Sequence, residues 1–264
     1  MELWQIIILA AVQGVTEFLP ISSDGHLVVI SPLLYGGSTP PPGIAQMTIV
    51  LHMGTLLSIL VFYWRRAIRL LGEDRRVAAL IVLATVPAVI LGVPIKFFAE
   101  PILESIWLAG LGLPLTGLAL LWLKRFPAGG KDYREMSALD AWWIGLLQAS
   151  AILPGISRSG TTISCGVTRG LSRESAATFS FLMAIPAIAG AGVLELLKHM
   201  LKPEGPPLPL AHALIGGLVA FLVGLVALWW LNVWLQRGRL HWFAWYCIGL
   251  GICVLVWQTY ATFG

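Results

Sequence analysis

The sequence predicts an all-α polytopic membrane protein, an inverted-topology repeat of two re-entrant helical hairpins and six full transmembrane helices. Three observations lead there. Hydrophobic residues make up 58% of the 264 residues and charged ones 11%, with a mean hydropathy of +0.84. That leaves too little polar surface to cover a water-facing globule. The apolar residues run in long unbroken segments, so the spans are helices and an alternating transmembrane barrel is excluded. Finally, Pro-Ile-Ser occurs once in each half, the second time with a glycine inserted. Soluble, disordered and nucleic-acid-binding classes fall with the globule, and a formal charge of +4 belongs to the short loops of a polytopic chain.

The chain opens Met1-Glu2-Leu3-Trp4, without the basic start of a secretory signal, so its beginning is read as part of the mature fold. Residues 3–35 form a stretch about one span long, broken in the middle and loaded with polar groups: Gln13-Gly-Val-Thr-Glu17-Phe-Leu-Pro20-Ile-Ser22-Ser23-Asp24-Gly-His26. It reads as a hairpin in which a helix of about 15 residues rises about 22 Å, turns at the proline and returns. Irregular backbone at that depth needs protein or a water-filled cavity around it; a proline-kinked span is the alternative. Spans follow over residues 46–64, 77–95 and 105–123, each long enough to cross about 30 Å of hydrocarbon.

Residues 139–171 repeat the broken pattern, reading Gln148-Ala-Ser-Ala-Ile-Leu-Pro154-Gly-Ile-Ser157-Arg158-Ser159-Gly160. Spans over 175–197, 210–235 and 242–260 complete the chain. Trp64, Trp107, Trp122, Trp234, Trp242 and Trp257 lie near span ends, as interfacial aromatics do. The repeat units are 1–125 and 138–264 of a single membrane domain. Cys165, Cys247 and Cys253 sit in apolar surroundings without metal spacing and read as buried thiols.

Lys and Arg fix the orientation. With the loop after the first span cytoplasmic, one side receives Arg65, Arg66, Arg69, Arg75, Arg76, Lys124, Arg125, Lys131, Arg134, Arg169, Arg173, Arg237 and Arg239, against Lys96, Lys198 and Lys202 on the other. This is a strong positive-inside bias. The first hairpin then enters from outside and the second from the cytoplasm, each followed by three spans, with the Pro/Gly-rich segments 36–43 and 202–209 as outer loops. Inverted repeats of this kind place their site near the midplane, where the broken helices meet.

Ionisable groups in a bilayer carry a functional hypothesis. Here they are Glu17, Asp24, His26 and Arg158. Ser22 or Ser23 and Ser157 or Ser159 suit the N-caps of the returning helices, whose first-turn N–H groups lack intrahelical acceptors. Two helix N-termini and Arg158 make an anion site, and phosphate fits it. Glu17 would repel phosphate unless a divalent cation, Mg²⁺ or Ca²⁺, lay between. Ser23 and His26, three apart, share a helix face suited to nucleophilic or acid–base chemistry. Gln13 is either a cation-side residue or a helix bridge. Thr161, Ser164 and Thr168 read as back-bonding hydroxyls, with Thr162 the candidate for more. His52 and Glu195 read as satisfied buried polar groups, and His199, His212 and His241 as span-end residues.

Gln13-x-x-x-Glu17 followed by Phe-Leu-Pro-Ile-Ser-Ser-x-Gly-His26, with Pro154-Gly-Ile-Ser-Arg158-Ser-Gly and Arg173 through Phe179-Ser-Phe to Ile185-Pro186, resembles the undecaprenyl-diphosphate phosphatase family associated with bacitracin resistance. The resemblance covers both halves in order. It implies hydrolysis of undecaprenyl diphosphate to undecaprenyl phosphate and inorganic phosphate, with a divalent metal, in the bacterial inner (plasma) membrane and with a site open to the outer face. Glu17 matches the family's essential glutamate, Ser23 and His26 its serine and histidine, and Arg158 its phosphate-binding arginine. Gln13 stands at the first position of the glutamate motif, and Asp24 where a small neutral residue is expected. The reading is therefore catalysis by Ser23, His26, Glu17 and Arg158, phosphate held by Ser22, Ser157, Arg158, Ser159, Gly160 and Thr162, and metal held by Glu17, Gln13 and Asp24. Ser23 attacks in line while His26 shuttles the proton, direct attack by water being the other route. The partners are a polyprenyl diphosphate and membrane lipids, with no nucleic acid; a homodimer is compatible. A polyprenyl-phosphate transporter could use the same anion site without hydrolysis.

Overall fold

A computed structural model describes residues 1–36, 43–201 and 208–263. The predicted loops over 36–43 and 202–209 lie almost wholly outside these residues. The described chain is helical: α1 Leu3–Thr16, α2 Ser23–Tyr35, α3 Ile44–Phe62, α4 Trp64–Leu70, α5 Arg75–Phe98, α6 Glu100–Leu103, α7 Ile106–Leu123, α8 Ala138–Ser150, α9 Arg158–Thr168, α10 Arg173–Leu201, α11 Leu210–Gln236 and α12 His241–Phe263. Among the described residues there is no strand, only one isolated bridge between Lys131 and Leu171. Six helices (α3, α5, α7, α10, α11 and α12) are long and apolar enough to cross a membrane, within a few residues of the expected spans. Leucines, valines and tryptophans cover their outer faces, as in a multi-pass membrane protein.

The short helices make two hairpins. At 14 residues, α1 rises only about 21 Å. The chain then breaks over Glu17–Ser22 and reverses: Gln5 at the start of α1 donates to the Leu34 carbonyl at the end of α2 at 3.0 Å. The second hairpin closes likewise, with Arg169 after α9 donating to Asp140 in the first turn of α8 at 2.8 Å. Both breaks fall at the prolines, which remove a helical donor and clash with the preceding turn.

The hairpins meet tip to tip. Ser159 donates to the Leu19 carbonyl at 3.2 Å, and a Cβ on Gly25 would lie 2.8 Å from the Gly155 Cα, so only glycine permits this backbone approach. Gly155 itself has φ +87°, a left-handed conformation that favours glycine. Thr116 of α7 pins this turn by donating to the Gly155 carbonyl and accepting from the Ser157 N–H, each at 2.8 Å. Packing alternates between halves: α1 lies on α11 and α8 on α5, while α3 meets α10 and α7 meets α12. Beneath the tips, Phe18 and Phe181 pack edge to face at 5.7 Å in the main core.

The basic loops gather at one end. Arg76 donates to the Arg134 and Met136 carbonyls, Arg134 pairs with Asp74, and Arg66 pairs with Glu174. Asp140 is buried there between Lys131 at 2.5 Å and Arg169. Burial works to raise the Asp140 carboxyl, but hydrogen bonds from Lys131, the Ser137 N–H and Arg169 outweigh it and hold the group below the usual carboxylate range. The open end of the second hairpin lies in this basic cluster.

Candidate active site

The residue that leaves α1 and the residue that starts α9 form the centre of the site. Glu17, C-cap of α1 and buried, accepts from the Arg158 Nη2 at 2.5 Å on Oε1. On Oε2 it accepts from the Gln13 Nε2 at 3.0 Å and from the Ser23 Oγ at 2.9 Å. Gln13 reaches it because residues four apart share a helix face; Ser23 reaches it because the hairpin turns within six residues. Arg158 keeps further N–H groups, one of them 3.5 Å from the Ser180 carbonyl. The ion pair is nearly sealed, its side chains 16% and 6% exposed. Such pairs persist where their partners satisfy them, and losing either leaves an uncompensated buried charge.

Ser22 caps α2 by accepting from the Gly25 N–H at 3.2 Å, with φ +69°, a left-handed value that serine rarely adopts. Strain of this kind accumulates at functional turns. Ser157 caps α9 in the same way through the Gly160 N–H at 3.1 Å. Ser159 spends its hydroxyl on Leu19, and Thr162 bonds the Arg158 carbonyl at 2.7 Å and the Ser180 hydroxyl at 2.6 Å. Thr161 and Thr168 back-bond as expected. The hydroxyls of Ser22, Ser157, Ser159 and Thr162 thus fix the two helix starts; both N-termini converge on the Glu17–Arg158 pair.

The expected Ser23–His26 contact does not form. Ser23 turns to Glu17, while His26 is held by the Ser22 carbonyl and by Tyr246 of α12. Sharing a helix face did not decide the partner, because a buried carboxylate is the stronger acceptor for the hydroxyl. His52 was expected only to be satisfied. Its Nδ1 is, lying 2.9 Å from the Thr48 carbonyl. Its Nε2, however, faces the site, 3.9 Å from Glu17 and 3.8 Å from Asp24. The one available signal was an imidazole in an apolar span. Asp24, with 53% of its side chain exposed, lies at the open edge of the cluster.

Gln13 Oε1 is buried and accepts no hydrogen bond, which marks it as an oxygen with unused capacity beside Glu17. Among the described residues no three His, Cys, Asp or Glu side chains already form a metal-binding group. The site offers protein oxygens singly or in pairs. That fits a hard cation such as Mg²⁺, which takes the rest of its shell from water and substrate phosphates.

The family profile described as bacitracin resistance protein BacA matches residues 6–253. An undecaprenyl-diphosphatase of Rhodopirellula baltica is 46% identical over 257 residues, covering 97% of this chain and 98% of that protein. Those of Korarchaeum cryptofilum and Carboxydothermus hydrogenoformans are each 37% identical, over 97% and 100% of this chain and 99% and 100% of theirs.

Proposed function

The chain belongs to the bacitracin resistance BacA family, and from that membership we propose that it is an integral membrane hydrolase converting undecaprenyl diphosphate to undecaprenyl phosphate and inorganic phosphate. The activity recycles the lipid carrier of cell-wall synthesis. The observation that carries the reading is the buried Glu17–Arg158 pair with the Ser23 hydroxyl on its carboxylate: an acceptor, a nucleophile and a phosphate ligand at one point. The transporter alternative has no support among the relatives, whose names are those of a diphosphatase.

The mechanism follows from the same contacts. The terminal phosphate competes with Glu17 for Arg158, whose planar fork suits phosphate oxygens, and it lies against the N-termini of α2 and α9. Ser22, Ser157, Ser159, Gly160 and Thr162 keep these in register. Once the guanidinium is drawn off, Glu17 is free to take the Ser23 proton. Ser23 Oγ then forms a bond to the terminal phosphorus as the bridging P–O bond breaks, and undecaprenyl phosphate leaves with the bridging oxygen. Water hydrolyses the resulting phosphoserine and releases inorganic phosphate. His26, in the first turn of α2 and held by the Ser22 carbonyl and Tyr246, moves a proton in this scheme without touching Ser23. Glu17, Gln13 and Asp24 would hold a divalent cation, Mg²⁺ or Ca²⁺, which would neutralise diphosphate charge.

We read the two hairpins as re-entrant, and residues 1–125 and 138–264 as inverted repeats. Support comes from hairpins shorter than a bilayer, tips that meet, and reciprocal packing of α1 on α11 and α8 on α5. With the basic end cytoplasmic, the chain lies in the inner membrane with its site open to the outer face. Phosphate release from a polyprenyl diphosphate by purified protein, with and without chelator, tests the activity; no release refutes it. Cys253, expected to be buried, is exposed on α12 while Cys165 and Cys247 are buried, so with Cys253 replaced, cysteines introduced at Gly43 and Gly130 test the topology in intact cells: an impermeant thiol reagent should label the first and miss the second. The reverse pattern refutes the orientation.

A further inference from the structure

His26 is held at both ring nitrogens. Its Nδ1 lies 2.7 Å from the Ser22 carbonyl oxygen; a carbonyl only accepts, so Nδ1 carries the hydrogen and Nε2 of the neutral ring carries the lone pair. That lone pair meets the Tyr246 hydroxyl at 2.8 Å. The two rings lie parallel, 7° apart in plane with centroids at 5.7 Å. Tyr246 arrives from the last helix, 220 residues along the chain. The next residue, Cys247, sets its thiol 3.7 Å from the Pro20 carbonyl at the hairpin tip. One turn earlier, α12 packs against α7 at Gly117, where a Cβ would lie 2.7 Å from the Ala244 carbonyl. Two consecutive residues of α12 therefore engage the first hairpin from a rigidly seated helix.

An imidazole bonded at both nitrogens keeps one orientation and one tautomer, as when an outer partner fixes a working histidine. We propose that Tyr246 is a positioning residue: with the tautomer of His26 fixed by the Ser22 carbonyl, the Tyr246 hydroxyl donates to Nε2 and holds the orientation of the ring in the diphosphatase site. The inference rests on the reading of His26 as a site residue. Packing alone would be served equally well by phenylalanine, which keeps the ring and its stacking and loses only the O–H.

The test is a double-substitution cycle with Tyr246→Phe and His26→Gln, reading kcat and KM separately on a polyprenyl diphosphate. Tyr246→Phe should lower kcat about 10-fold, the size usual for an orienting partner, with KM within about 2-fold. In the His26→Gln background the same change should cost less than about 2-fold, because Tyr246 acts only through the ring. Full activity of Tyr246→Phe, or effects that simply multiply, would overturn the proposal. Nitrogen NMR of histidine-labelled wild-type and Tyr246→Phe protein, with His26 assigned by its loss in His26→Gln, gives an independent readout: His26 should be protonated on Nδ1 in both proteins, hydrogen-bonded at Nε2 in the wild type, and should lose that Nε2 bond in Tyr246→Phe. An Nε2 signal unchanged by Tyr246→Phe would overturn the proposal even in a protein that does not turn over, whereas absent phosphate release with the expected Nε2 change refutes the activity and leaves the positioning intact.

Discussion

Arg158→Lys separates charge from geometry at the centre of the site. The wild-type guanidinium reaches Glu17 Oε1 at 2.5 Å, approaches the Ser180 carbonyl at 3.5 Å and retains further donors in a fixed plane. Lysine keeps the positive charge that Glu17 needs, so the fold should survive. Its compact ammonium cannot release the carboxylate and grip two phosphate oxygens in the same plane. Removing one preorganised electrostatic contact typically costs at least about 10²-fold in turnover, or about 2.7 kcal/mol at 1.36 kcal/mol per decade. Arg158→Met behaves differently, since it strands a buried carboxylate and should cost about 3–5 kcal/mol of stability as well. Glu17→Gln combined with Arg158→Met should recover much of that stability and none of the activity. The assays are phosphate release at saturating substrate and thermal unfolding in the same detergent. Arg158→Lys with near-normal turnover would remove Arg158 from phosphate binding.

Ser23→Ala should abolish a covalent route and Ser23→Thr should keep at most a trace; capture of phosphoserine at Ser23 would establish the intermediate, and a tenth of wild-type rate in Ser23→Ala would favour attack by water. Gln13→Glu exchanges the N–H donated to Glu17 for a second carboxylate, so half-maximal phosphate release should need the same or less divalent cation; weakened metal dependence in a folded variant removes Gln13 from the cation site. Gly25→Ala should push the hairpin tips apart and cut turnover, whereas Gly130→Ala, which meets nothing within 4 Å, should be neutral; equal activities would show that tip contact is dispensable. Asp140→Asn should lower thermal stability at pH 7 by roughly 3 kcal/mol. Since the folded carboxyl is held below its unfolded value, that stabilisation is complete above about pH 4 and fades as pH falls further; a wild-type–variant gap that grows on acidification contradicts the sign.

The long spans were legible because an apolar run of the right length has one interpretation in a chain this poor in charge. The breaks between α1 and α2 and between α8 and α9 were legible from proline, the repeated Ile-Ser and the polar load around them. Glu17 and Arg158 stood out because an ionised group at depth has few inexpensive structural roles. Other contacts were hidden for a physical reason. His52, Thr116 and Tyr246 lie on ordinary spans, and helical periodicity tells which face of a span is polar but not which turn of a distant helix it will meet. The hydroxyls of Ser159 and Thr162 illustrate the converse: both are buried, each takes an acceptor within reach, and sequence spacing does not say which one.

The tip-to-tip meeting of the hairpins also has a consequence for how the protein is made. Glu17 and Arg158 are 141 residues apart, so during synthesis the acid emerges long before the base that neutralises it. Until then Glu17 must stay near water, because an isolated carboxylate in hydrocarbon is expensive. The first half is therefore an unfinished body that gains its strongest buried contact only when the second half arrives. On the mechanism proposed above, neither half carries a complete set of reacting groups, and the bond that assembles the site is also one that closes the fold, so the site is complete only once both halves have met.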